Sequence, residues 1–295
     1  MMKRLLLAAT LLCVAQLSLA LSPYTYASKL PAGELSAQME QVEKKLQAEG
    51  FTVLGQHTPK GVAGRASLVV SDPALLAAIR ATGPSSAIVA SGIRVGISGD
   101  GSVSYMNPDY WYRAYLRGHF TGAQEAVSSV QKRLVKALGE GAGFGGDVPQ
   151  AELTGYRYMF GMERFDSANS ELSSHASFED ALKAVQANLA KGLGDTRRVY
   201  EVVMPEKKMA VYGVAMNSSS DGEGWWVNKI GTDFPAALPY ELFIVDNKVY
   251  ALYARYRIAL GWPALGMGQF MTIINAPEAI RATMVRLATA SAPGQ

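Results

Sequence analysis

The sequence predicts an α+β fold made of two tandem copies of a small sheet-plus-helix unit, packed together as a pseudo-dimer. Two observations carry this. Helices, strands and hairpins recur in the same order at offsets of 143 to 147 residues, and internal repetition at a fixed period is the signature of a repeated folding unit. The strands also mingle with helices without the strict βαβ alternation of a doubly wound sheet, which points to helices gathered on one sheet face.

The elements follow in order. Leu35, Met39, Val42 and Leu46 form one apolar helix face, and Phe178, Leu182, Val185 and Leu189 repeat its intervals 143 residues later. A β-rich run ending in proline comes next in both places, "FTVLGQHTP" to Pro59 and "RRVYEVVMP" to Pro205, and then a second strand, "ASLVV" and "MAVYGVAM". Ile93, Val95 and Ile97 alternate as Tyr240, Leu242 and Ile244 do, so each of these strands is expected to turn one face to a core and one face away. Gly99-Asp100-Gly101 and Asp246-Asn247 supply the tight turns. Beyond them Val103 matches Val249 and Tyr110 matches Tyr256.

The opening strands of the copies are expected in "SPYTYASKL" and "YRYMFGMERF". An extra helix after the first copy, "GAQEAVSSVQKRLVKALGEG", places Ala126, Val130, Leu134 and Ala137 on one side. A closing helix, "APEAIRATMVRLATA", begins with Pro277 in a first turn. The expected organisation is a leader over residues 1–20, a first copy over 21–140, a Gly-rich linker over 141–150 and a second copy over 151–295.

Of the 295 residues 49% are hydrophobic and 18% charged, enough apolar material for real cores. Lys3 and Arg4, the apolar run from Leu5 to Ala15 and the small-residue ending Ser18-Leu19-Ala20 have the three parts of a secretory signal peptide, with cleavage after Ala20. Export is therefore expected, to the periplasm of a two-membrane bacterium or otherwise to the medium, with no stable membrane anchor after cleavage. Cys13, the single cysteine, lies in that leader, which leaves the mature chain without disulfides, thiolate ligands or a cysteine nucleophile. Without Lys3 and Arg4, 26 basic side chains stand against 25 acidic ones. Such a balance makes nucleic acid an unexpected partner.

Val103-Ser104-Tyr105-Met106-Asn107-Pro108, Ser71-Asp72-Pro73 and Leu238-Pro239-Tyr240 resemble motifs of the family known as domain of unknown function 302, small α+β domains sometimes found in tandem. The resemblance implies two divergent tandem copies and brings no activity. Each copy departs from it: the first has Gly92-Ile93 in place of Leu-Pro, and the second has Tyr253-Ala254 in place of the terminal Asn-Pro.

Familiar catalytic signatures are few. Gly141 to Gly146 fits G-x-G-x-x-G, but a helix precedes it and a strand follows, the reverse of a dinucleotide site. His57, His119 and His175 are far apart in sequence and read as surface or capping residues, so no metal and no cofactor is expected. Met159 with Met162, and Met267 with Met271, are thioethers that a copper carrier could use. If Met159 and Met162 share a strand they point to opposite faces, which favours core packing.

The candidate ligand-binding residues are aromatic and basic: Tyr105, Tyr110, Trp111 and Arg113 at the end of the first copy, and Tyr253, Tyr256 and Arg257 at the matching end of the second. Arginine can pair bidentately with an anion and stack on a ring; the same residues can equally serve packing between helix and sheet. Trp225 and Trp226, in a Gly/Ser-rich loop, are expected to cap a cleft or meet a partner. Three function classes stay open: a non-catalytic protein binding a small molecule or another protein in a cleft between the copies, an enzyme with a site assembled from distant segments, and a methionine-based copper carrier. The sequence identifies neither a catalytic residue nor the oligomeric state.

Overall fold

The computed structural model describes residues 19–289; Cys13 and nearly all of the expected leader lie outside them. The first half runs β1 (Ala20–Leu21), β2 (Tyr24–Tyr26), α1 (Leu35–Ala48), β3 (Thr52–His57), β4 (Arg65–Ser71), α2 (Pro73–Thr82), β5 (Ile93–Ser98), β6 (Val103–Met106), α3 (Pro108–Leu116) and α4 (Phe120–Leu138). Two short strands follow, β7 (Gly143–Phe144) and β8 (Val148–Pro149). The second half runs α5 (Gln150–Leu153), β9 (Glu171–Ser174), α6 (Phe178–Ala190), β10 (Thr196–Met204), β11 (Met209–Met216), α7 (Glu223–Ile230), β12 (Tyr240–Val245), β13 (Lys248–Tyr250), α8 (Ala254–Gly261), α9 (Met267–Thr272) and α10 (Ala276–Ala288).

The fold is α+β, with antiparallel sheets and helices layered on them. The two large sheets have the orders β3-β4-β5-β6-β2-β7 and β10-β11-β12-β13-β9, and β1 pairs with β8 in a separate two-stranded sheet. Apart from the added β7, β2 lies beside β6 and β9 beside β13, each next to the second strand of its half's hairpin, and the remaining three strands follow in one order in both. The edges β3 and β10 each carry a register shift, at Val53/Gly55 and Arg198/Tyr200, and these two edges meet. A Cβ on Gly55 would lie 2.1 Å from the Val199 carbonyl oxygen, so only glycine permits the approach.

Local chemistry fixes the helix starts. The Asp72 carboxylate accepts the Leu75 amide at 2.8 Å ahead of Pro73, Asn107 caps α3 ahead of Pro108, and Ser177 caps α6, each filling an orphan donor of a first turn. The helix α4 turns Ala123, Val127, Val130, Leu134 and Leu138 inward, a face rotated from the expected one because Phe120 starts the helix within the core.

Two expectations from the sequence need correcting. Every residue of β5, and every residue of β12 except Val245, is buried, so the face expected to turn away is covered by the other half. A 3-10 turn at Pro235–Ala237 lies on the first sheet, and one at Ser85–Ser91 lies on the second. Gly96 admits the former, since a Cβ there would sit 2.5 Å from Pro235 Cγ. The stretch "YRYMFGMERF" is a turn-rich loop, not a strand: Gly161 has φ +80° and the Met162 amide donates to the Met159 carbonyl. The strand opening the second half is β9, further along.

Charge is buried where the halves meet. Arg94, second residue of β5, pairs with Glu241, second residue of β12, and Arg257 Nε donates to the other Glu241 oxygen at 3.0 Å. The guanidinium Nε of Arg94 also donates to the Ala236 carbonyl at 2.9 Å, and Arg257 Nη2 to that of Ala237 at 2.8 Å. Burial, the largest single influence, pulls the pKa of both arginines down, but the Glu241 carboxylate together with Tyr115 and Tyr24 more than offsets it and holds both above the ordinary arginine value. Both guanidiniums lie against Trp111, at 4.7 and 4.8 Å from its ring centroid. A second buried pair crosses the seam: His57 Nε2 lies 2.7 Å from Glu223 Oε2 with both side chains fully enclosed. His57 is thus an interior residue, not the surface or capping one expected.

Removing one member of a buried, hydrogen-bonded charge group leaves its partners desolvated and unpaired, at about 3–5 kcal/mol. Glu241→Ala should lose about that much stability in urea denaturation. Glu206→Ala, which opens the exposed pair with Arg80 across the same seam, should lose less than ~1 kcal/mol. Equal, small losses for both would show that the buried triad does not hold the halves together.

Candidate binding groove

Aromatic anchors shape the segment between α5 and β9. The ring of Tyr156 is buried, packs on Tyr256 at 5.8 Å and donates its hydroxyl to the Ala259 carbonyl at 3.0 Å. Phe165 packs against Tyr115 and Tyr256. Held at both ends and bent at Gly161, the chain between them carries Met159, Phe160 and Met162 outward. Phe160 is 89% exposed and Met159 46%, unusual for side chains of this size in one short stretch.

This loop forms one wall of a groove of about 570 Å³, within the size range of small-molecule sites. The opposite wall comes from α8 through Ile258 and Ala259, and the end is closed by Trp262, Met267, Phe270 and Ile274. Trp262 is itself buried and braced edge-on by Trp226, with ring centroids 5.5 Å apart. The polar groups are few. Arg255 Nη1 lies 3.6 Å from Glu163, and the Tyr158 hydroxyl donates to that carboxylate at 2.6 Å. Burial, then the hydrogen bond to Glu163, raises the Tyr158 pKa; the phenol stays a donor at neutral pH. Among the described residues no group of three His, Cys, Asp or Glu side chains could hold a metal ion. What the groove offers is apolar surface on flexible thioethers, which adapt to irregular ligand shapes.

No model of a known protein family matches the chain, and no curated protein matches it. Its function has to be read from the geometry.

None of the ligand-binding residues proposed from the sequence lines the groove. The side chains of Tyr105, Tyr110, Trp111, Tyr256 and Arg257 are buried. Tyr110 donates to the Leu260 carbonyl at 2.9 Å and Trp111 to that of Pro23 at 2.7 Å. Arg113 is half-buried, paired with Asp109 and stacked 4.2 Å from the Phe120 centroid. Tyr253 donates to Glu278 at 2.6 Å. Trp225 and Trp226 belong to helix α7, not to a loop; Trp226 is enclosed and Trp225 lies under the Lys229 ammonium. The structure thus gathers Trp111 and Arg257 at the seam, and sets Tyr256 and Trp226 directly behind groove residues.

The methionines correct a second expectation. Met159, Met162 and Met267 all line the groove instead of packing in a core. Tyr156, Ile258, Phe270 and Ile274 were not singled out by sequence. The available signal was Gly161 between Phe160 and Met162, since glycine is the residue that lets such a turn form.

A charge placed among these apolar walls would be desolvated without a partner. Phe270→Asp should weaken binding of an uncharged environment-sensitive dye such as Nile red at least about tenfold, with the far-ultraviolet circular dichroism unchanged. An unaltered dye titration would remove the groove as the apolar site.

Proposed function

We propose that the chain is an exported, non-catalytic binding protein whose site is the apolar, methionine-lined groove of its second half, taking a small apolar molecule. One observation carries the reading: a groove of about 570 Å³ walled by large apolar side chains that solvent reaches. An exposed patch of this kind marks a binding surface. The contact between the halves, expected to form an open cleft, is filled by the Arg94–Glu241–Arg257 group and the two 3-10 turns, and the groove opens to one side of it.

In this reading the halves are two divergent copies acting as an internal pseudo-dimer. The shared strand order, the reciprocal seating of the 3-10 turns and the matched placement of Arg94 and Glu241 support it. Export rests on the leader sequence. No helix among the described residues is long and apolar enough to cross a membrane.

A soft-metal carrier is the second reading, favoured by the convergence of Met159, Met162 and Met267 on one groove. Protein purified from its native compartment separates these possibilities. Intact mass should show a chain beginning at Leu21, and organic extraction should release an apolar compound that Phe270→Asp no longer retains. Stoichiometric copper in place of that compound would transfer the site to the second reading. A chain that keeps residues 1–20 would remove export.

A further inference from the structure

A second cavity adjoins the groove and differs from it in chemistry. It has a volume of about 140 Å³ and is lined by Arg117, Arg164, Asp166, Phe165, Tyr256 and Tyr156. Tyr156 is common to both cavities, and the same segment supplies Tyr158, Met159 and Met162 to the groove and Thr154, Arg164, Phe165 and Asp166 to the second cavity. Arg117 is held there in an unusual way. Its backbone has φ 53° and ψ −130°, a region costly for any residue with a Cβ. Its guanidinium stacks 4.3 Å from the Phe165 centroid, donates from Nη2 to Ser86 Oγ at 3.2 Å and keeps Nη1 3.6 Å from Asp166. The buried Nε has no hydrogen-bond partner among the described residues. Arg164 is exposed and, among the described residues, forms no ion pair.

The charge lining the two cavities is one-sided. Among the lining residues Arg117, Arg164 and Arg255 stand against Asp166, with Glu152 and Glu163 near them, and the two arginine–carboxylate contacts, each 3.6 Å, are looser than hydrogen-bonded pairs. The chain as a whole is nearly neutral. Positive charge is concentrated where an apolar groove meets a small polar pocket.

We infer that the occupant is an amphiphilic anion, a free long-chain carboxylate whose tail lies in the methionine-lined groove and whose head is held by Arg117 and Arg164. This rests on the groove being the binding site. Planar guanidinium matches carboxylate geometry, Arg164 is free of an ion pair among the described residues, and the buried Nε of Arg117 has no acceptor there. Phosphatidylglycerol vesicles, which present an anionic surface instead of a free acid, should not bind comparably.

Isothermal titration of the mature chain with dodecanoate and with dodecanol at pH 8, where the carboxylate is ionised, tests this. Dodecanoate should bind about tenfold more tightly than dodecanol, the value of one charge-assisted hydrogen bond. Arg164→Gln, a surface change, and Arg117→Gly, which also relieves the positive φ, should each shrink that ratio. Equal affinities in the wild type, or a ratio that neither variant changes, would overturn the head-group assignment while the groove stands. Binding of neither amphiphile would remove the groove reading and this inference together. Vesicle binding that outcompetes dodecanoate would overturn the free carboxylate in favour of a lipid surface.

Discussion

The rest of the structure depends on one buried carboxylate. Glu241 accepts from two guanidiniums, one from each half, and each of those also donates to a carbonyl of the 3-10 turn laid across the seam. Desolvating three charges is unfavourable, so the group persists only because its hydrogen bonds and the Trp111 ring meet it on several sides. The arrangement fixes how the halves sit. It also fixes α8, because Arg257 belongs to that helix, and α8 is a wall of the groove.

That dependence separates what is rigid from what is adaptable. Tyr156, Tyr256, Phe165 and Trp262 are ring-to-ring neighbours of buried aromatics, a stiff backing with few alternative rotamers. In front of it stand thioethers on a glycine-bent loop and on the short helix α9. A rigid rear wall and a pliable front suit a site that selects by apolar volume more than by shape.

Elements with local causes were legible in the sequence. The helices α1 and α6, the hairpins and the second strands follow from periodicity and turn residues, and the strand order common to both sheets agrees with the repeated element order. Non-local causes were not. Arg94 and Glu241 look like the solvent-facing members of alternating strands, and only the partner half, 147 residues away, makes them interior. The pairing of His57 with Glu223 is similarly remote. "YRYMFGMERF" reads as a strand because its aromatic content matches strand preference, and Gly161 decides otherwise. The aromatic clusters drew attention as a binding feature when most of those rings pack the interior. The exposed methionines were first assigned to packing.

Arg94 and Glu241 hold the same place in their respective strands, and the closure they make has a handedness of charge. Two first halves meeting through this face would set Arg94 against Arg94, whereas the second half presents Glu241 already paired with its own Arg257. The joint therefore sets a first-half cation into a second-half anion, and one chain satisfies it within itself.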